Sequence, residues 1–244
     1  MFEIIDTPFS PIKTVRLDDG GDFRPCSTGL DIDNLKVRTM MERIETNHAN
    51  DQEIVASAAH TDKEIALENA WQEAIERISL AAWWALDRPF LAKFSDDTVE
   101  KIVRNHKIEI PESFSVHVGL VESVNPDYKI ACSIISNERD YPFAVLGGGC
   151  SKNAMQAAEK AIYESMQSWT ATNWIDSHQN TESKVYWDTR ELMSRIADLS
   201  SLTVDESHVP VPHKADCLSD LGSRVTFCDD VRSEEHTSEL QSPI

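Results

Sequence analysis

Two stretches of this chain, ALENAWQEAIE at 66–76 and AAEKAIYESMQ at 157–167, align without a gap. Glu68 matches Glu159, Ala70 matches Ala161, Glu73 matches Glu164, and Glu76 matches Gln167. Upstream, at the same offset, Ser57-Ala58 aligns with Gly148-Gly149. A segment that recurs with its polar and apolar positions in register is expected to fold the same way twice. Each copy reads as a strand, a loop of small residues and a helix carrying Glu-x-x-Glu/Gln. Short Ala/Glu-rich helices can also match by chance, so the repeat alone leaves duplication and coincidence both open.

The surrounding pattern alternates strands and helices. EIVASAA (Glu53–Ala59) reads as a strand, and Thr61 with Glu64 reads as a capping box opening a helix that ends near Leu86, before Asp87-Arg88-Pro89. Ser95 caps a shorter helix through DDTVEKIVRN. SFSVHVGLVESV and YKIACSII are strand-like and are separated by the turn Asn125-Pro126-Asp127. YPFAVL is a third strand that enters Gly147-Gly148-Gly149, and a helix then runs from about Ser151 to Trp169. NLKVRTMMERIE reads as strand or short helix, TRELMSRIADLS as helix, and CLSDLGSRVTFCDD as a helix end, a turn and a strand. This order predicts an α/β (α+β) fold.

At about 100° per residue, Ala66, Leu67, Ala70, Ala74, Ile78 and Ala81 form one apolar helix face. Glu64, Glu68, Gln72 and Ser79 take the opposite side. Asn69, Glu73 and Glu76 share a stripe with Ile65, Leu80 and Trp83, which predicts that the carboxylates are partly covered. Carboxylates one turn apart repel, and burial adds a desolvation cost. Arg77 offsets one charge, and a divalent cation would offset more. The plainer reading is a helix rim with ordinary ion pairs. In the second copy, an amphipathic helix accounts for Glu164 and Gln167 equally well.

Consecutive glycines before a helix leave N–H groups free to cradle phosphate, or they serve close packing. GGGCSKNA lacks the closing Gly-Lys-Ser/Thr of a Walker A loop. The tryptophans Trp71, Trp83, Trp84 and Trp169 read as core rather than as a stacking platform. His117 reads as a strand histidine. Cys150, near a helix start, has no evident His or Asp partner that would make it a nucleophile.

The formal charge of −19 argues against a nucleic-acid backbone or an anionic membrane surface as the main partner. No apolar run approaches the roughly 18 residues of a membrane span, and the acidic start MFEIIDTPFSPIK does not resemble a signal peptide. Five cysteines without CxxC spacing predict reduced, buried thiols and a cytoplasmic location. At the other end, RSEEHTSELQS agrees over its whole length with a frame translation of a common short-read sequencing adapter. Residues 232–244 are therefore expected to be non-native, residues 1–231 to form one domain, and the natural protein to be longer.

Together, IALENAWQEAIER and the later LGGGCSKNAMQAAEKAIYESMQ resemble the two central motifs of the YcaO family. In that family the first motif is Ser-x-x-x-Glu-x-x-Glu-Arg, and the second is Glu-x-x-Gln in a helix after a Gly-rich turn. The looser match runs from about Ile54 to Asp230. The resemblance implies an enzyme that uses ATP and Mg2+ to phosphorylate a backbone amide oxygen of a ribosomally made precursor peptide, after a nucleophile adds to the carbonyl. A Cys, Ser or Thr side chain would give an azoline, sulfide a thioamide and an amine an amidine. Carried over by position, Glu73, Glu76 and Glu164 would hold Mg2+, Gln167 would order the site, and Arg77 would orient carboxylates or phosphates. Gly148 and Gly149 would lie at the phosphates. Asn69 stands where the motif has Ser, so a nucleotide contact there would survive in altered form. Lys160 and Thr172 fall where other nucleotide contacts were expected. A leader-peptide-binding partner protein and a homodimer are further expectations. The alternative is a non-catalytic peptide-binding scaffold of the same family, or an inactive fragment.

Overall fold

The computed structural model describes residues 1–18, 25–49, 56–137, 139, 143–179, 195–197 and 199, with 46–49 and 174–179 as backbone only. The proposed boundary at 231, the adapter-like tail and the strand expected within 217–230 lie outside the described residues. So do residues 53–55 of the strand expected at 53–59; the part described, 56–59, is not a strand.

The class is α+β, with two antiparallel sheets. Strands β1 (Phe2–Asp6), β2 (Lys13–Leu17) and β3 (Cys26–Gly29) form the first, in the order β1-β2-β3. Helix α1 (Ile32–Ala49) follows, so the ambiguous NLKVRTMMERIE is helical and longer than expected. Asp31 starts it by accepting from the N–H groups of Asp33 (3.0 Å) and Asn34 (3.3 Å). Thr39 fastens it to the sheet, its hydroxyl bridging Leu35 O (2.8 Å) and Val15 O (3.1 Å).

The second sheet has the order β4-β5-β6-β7, from β4 (Ala92–Lys93), β5 (Ser115–Val121), β6 (Lys129–Ser136) and β7 (Ala144–Ser151). Helix α2 (Lys63–Ala85) covers one face. Helices α3 (Asp96–Asn105) and α4 (Ala154–Gln179) cover the other. The sheet is therefore buried on both sides, which is why β6 reads as an almost unbroken apolar run. Trp83 packs in the α2 layer and Trp169 in the α4 layer, both buried and core as read, while Trp71 and Trp84 are partly buried against the α2 layer. Ser95 caps α3 as expected, its Oγ accepting from Thr98 N–H at 3.2 Å. Residues 195–197 and 199 of TRELMSRIADLS are helical. No helix among the described residues is long and apolar enough to cross a membrane.

Two details of α2 differ from the expectation. Its cap is Asp62, one residue beyond Thr61, because the Asp62 carboxylate accepts from both Glu64 N–H (2.8 Å) and Ile65 N–H (3.1 Å). A charged acceptor also suits the positive end of the helix dipole. Its buried residues are Ala74, Ile75, Ser79, Leu80 and Trp83, rather than the alanine-rich face. The bulkier side chains win the core, and Ser79 is satisfied there by accepting from Val124 N–H at 3.1 Å. The helix is thus turned so that Glu76, one turn before Leu80, faces the sheet.

The glycines are the larger correction. Gly147, Gly148 and Gly149 lie inside β7, paired with Ser133, Cys132 and Ala131, not in a loop before α4. The helix instead starts after Asn153, whose side chain accepts from Met155 and Gln156 N–H. A Cβ on Gly147 would stand 2.2 Å from Ser165 N, and one on Gly149 would stand 2.1 Å from Ala157 O. The α4 backbone, lined there by Ala157, Ala158 and Ala161, lies directly on the strand. Gly149→Ala is expected to cost at least the roughly 1–3 kcal/mol of core overpacking, because helix backbone must move. Thermal denaturation should show a large loss of Tm or no folded protein.

Candidate functional site

Among the described residues strand β7 is the edge of its sheet, so alternate N–H groups point outward without a ladder partner there. Two glutamates lie against them. Glu164 of α4 accepts from Gly148 N–H at 3.1 Å, and the Glu76 carboxylate of α2 stands beside Gly148 and feels the Cys150 N–H. Helices on opposite faces of the sheet thereby bring one carboxylate each to the same strand edge. Glu73, one turn before Glu76, accepts from Ser57 N–H at 3.2 Å and is paired with Arg77. Gly148 leaves room for this arrangement, since a Cβ on it would stand 2.6 Å from Glu76 Oε1.

The electrostatics follow from that crowding. Loss of hydration is the largest effect on Glu76 and Glu164, and repulsion from neighbouring carboxylates adds to it. The Glu76 carboxyl is pushed up to about 7 and that of Glu164 to about 8. The Glu164 side chain is nonetheless exposed to solvent. Burial also raises Glu73, against the pull of Arg77.

Two residues of α1 join the group. Burial raises Glu42, with repulsion from Glu73, and pushes Glu45 up to about 7 while Ala59 N–H opposes the shift. Among the described residues, three cationic groups act on these five carboxylates: Arg38 on Glu42, Lys160 on Glu76, and Arg77 on all five. Lys160 also ties the layers together, donating to Cys150 O (2.9 Å) and to Gln72 Oε1 of α2 (2.8 Å). The deficit of positive charge makes the edge a place for added cations.

Of the residues read from sequence, Glu73, Glu76, Glu164, Arg77 and Gly148 come together. Gly149 does not, since it faces the α4 backbone. Neither glycine offers a loop of free N–H groups, because the Gly148 N–H is taken by Glu164 and Gly149 is paired opposite Ala131. Gln167 turns away from Glu164 and donates to Cys26 O of β3 at 3.2 Å. Asn69 stands exposed on α2, one turn before Glu73. Burial, with Glu76 nearby, pushes the Cys150 thiol up to about 12, so the start of α4 does not activate it. Cys26, Cys132 and Cys150 are free thiols. Glu42 and Glu45 were missed, although MERIE carries the same Glu-x-x-Glu spacing as EAIE.

A family model described as YcaO cyclodehydratase, ATP- and Mg2+-binding, matches residues 55–237. No curated protein matches the sequence. Among solved structures, YcaO from Methanopyrus kandleri bound with AMPPCP and Mg2+ is similar, with TM-score 0.58 and 16% identity. It covers 84% of this chain and 69% of that one. The E. coli microcin synthetase McbBCD complex with pro-MccB17 bound gives TM-score 0.46 and 16% identity, over 73% of this chain and 48% of that one. A heterocyclase in complex with substrate and cofactor gives 0.42 and 14%, over 67% of this chain and 21% of that one. At such identities the likeness is one of fold, and the archaeal protein carries it.

Proposed function

The chain belongs to the YcaO cyclodehydratase family of ATP-dependent, peptide-modifying enzymes, and we propose that its β7 edge is where Mg2+ and the phosphates of ATP are held. The observation that carries this is the convergence of Glu73, Glu76 and Glu164 from two helices on one strand edge, under mutual repulsion. Among the described residues, no three His, Cys, Asp or Glu side chains come close enough to cage one ion by themselves. That donor set suits Mg2+, which is usually bound by one or two carboxylates and completes its shell with phosphate oxygens and water. Glu73, Glu76 and Glu164 are the proposed ligands, with no one ion taking all three.

When bound, Mg·ATP supplies the phosphoryl group that activates a peptide amide oxygen, with the metal neutralising charge on the phosphates. The chain's own part is positioning. The Gly148 and Ser57 N–H groups fix the Glu164 and Glu73 carboxylates before any cation arrives, so less ordering remains to be done on binding. Arg77 holds Glu73 through their ion pair and, being largely exposed, can turn toward a phosphate. Asn69, one turn earlier, offers a neutral amide in place of the motif's hydroxyl. Gln167 acts through β3 rather than on the ligand. The substrate class proposed is a backbone amide of a ribosomally made peptide, presented with or without a partner protein. The product is an azoline, a thioamide or an amidine according to the nucleophile.

Calorimetric titration of a non-hydrolysable ATP analogue is expected to show binding at least about tenfold tighter with Mg2+ than without it. Mg2+ alone should bind weakly, since no carboxylate trio cages it. Nucleotide affinity indifferent to Mg2+ would reject the reading.

A further inference from the structure

The pairing of carboxylates with backbone N–H groups extends beyond the two helices. Glu73 takes the Ser57 N–H at 3.2 Å and Glu164 takes the Gly148 N–H at 3.1 Å, in both cases sixteen residues upstream. Two residues further along each segment, the N–H faces a helix earlier in the chain. The Cys150 N–H acts on the Glu76 carboxylate of α2. Ala59 donates to Glu45 of α1 at 2.5 Å.

Glu45 closes Glu42-Arg43-Ile44-Glu45, which has the spacing of Glu73-Ala74-Ile75-Glu76 and Glu164-Ser165-Met166-Gln167, with Ile44 where those have Ile75 and Met166. Each backbone segment thus divides its N–H groups in the same way. One goes to the first glutamate of the helix that follows, and the next faces the last glutamate of the corresponding motif on an earlier helix. The segment 56–59 is Ala-Ser-Ala-Ala, whose side chains are too small to anchor it by packing. Its place depends on the bonds from Ser57 and Ala59.

We propose that α1 supplies a third Glu-x-x-Glu to the site, with Glu45 as a positioning residue that sets segment 56–59 so that Ser57 fixes Glu73 for the Mg–nucleotide. This rests on the nucleotide reading of the β7 edge. Glu45 acts through the backbone it holds and needs only an acceptor oxygen, which a glutamine also has.

The test uses the full chain, with a non-hydrolysable ATP analogue and Mg2+ as the probe. Glu45→Ala should weaken its binding by up to about tenfold, the net worth of one hydrogen bond. Amide exchange at Ser57 and Ala59 should rise, while Gly148 and Cys150 stay as in the parent. Glu45→Gln should restore affinity to within about twofold. Ala59→Pro deletes the donor and leaves the carboxylate, and it should match Glu45→Ala. Parent-like affinity in Ala59→Pro overturns the proposal, even if Glu45→Ala does not fold. Equal loss in Glu45→Gln and Glu45→Ala also overturns it, because the charge and not the bond would then be at work. Glu164→Gln separates the two readings: unchanged nucleotide binding in that variant removes the site itself, whereas its loss with no effect of Glu45→Ala removes only the role of α1.

Discussion

Glu164→Gln is expected to raise the Tm of the metal-free protein by a few °C at pH 9 and to lower Mg2+-dependent ATP turnover by roughly 100-fold or more. The two effects have one cause. The glutamine side chain would keep an oxygen for the Gly148 N–H, so the bond that docks α4 on the β7 edge survives. What disappears is a charge crowded by Glu76 and Glu73. The parent carboxyl, pushed up to about 8, is charged at pH 9 and mostly protonated at pH 5. The gain in Tm should therefore shrink toward zero at pH 5. Turnover falls because an amide is a poor Mg2+ ligand and cannot balance the metal's charge. A variant less stable than the parent at pH 9 would show that repulsion at this edge is not what the geometry implies.

This trade-off also explains which parts of the molecule could be read from the sequence. The Glu-x-x-Glu/Gln repeat was legible because its logic is local: helical spacing places each pair, and the matching Ser57 and Gly148 positions fall at the same distance upstream. Strands β5 and β6, the turn between them and the Ser95 cap were legible for the same reason. The glycine strand was not. Three consecutive glycines before a helix look like a loop, and only the α4 backbone lying on Gly147 and Gly149 makes them a strand. The inward turn of α2 was hidden likewise, since alanines outnumber the large residues that decide its face. Glu42 and Glu45 sit in a segment of undecided secondary structure, and the N–H that gives Glu45 its role comes from the far side of residues 50–55. Gln167 repeats Glu76 in sequence yet reaches the other sheet, because β3 lies beside it in the folded chain.

Affinity for Mg·nucleotide should rise with pH, by nearly a hundredfold per unit near pH 6 and by about tenfold per unit near pH 7.5, with protons released on binding. Metal binding needs ionised carboxylates, and the Glu76 and Glu164 carboxyls are pushed up to about 7 and about 8 from an ordinary 4.5. Below those values binding must first expel the proton, so calorimetry in buffers of different ionisation enthalpy should count more than none and fewer than two released near pH 7.5. The stability of the metal-free protein should run the other way. A carboxyl raised in the folded state holds its proton more tightly there than in the unfolded chain. Its stabilising contribution is full below about 4.5 and is lost as pH rises through about 7 and then 8. Melting curves of the metal-free protein should thus drop across that window. With saturating Mg2+ and nucleotide the drop should flatten, since the cation replaces the proton as the partner of both carboxylates. A pH-independent affinity would mean that Glu76 and Glu164 do not meet the metal, and the site would then have to lie elsewhere than on the β7 edge.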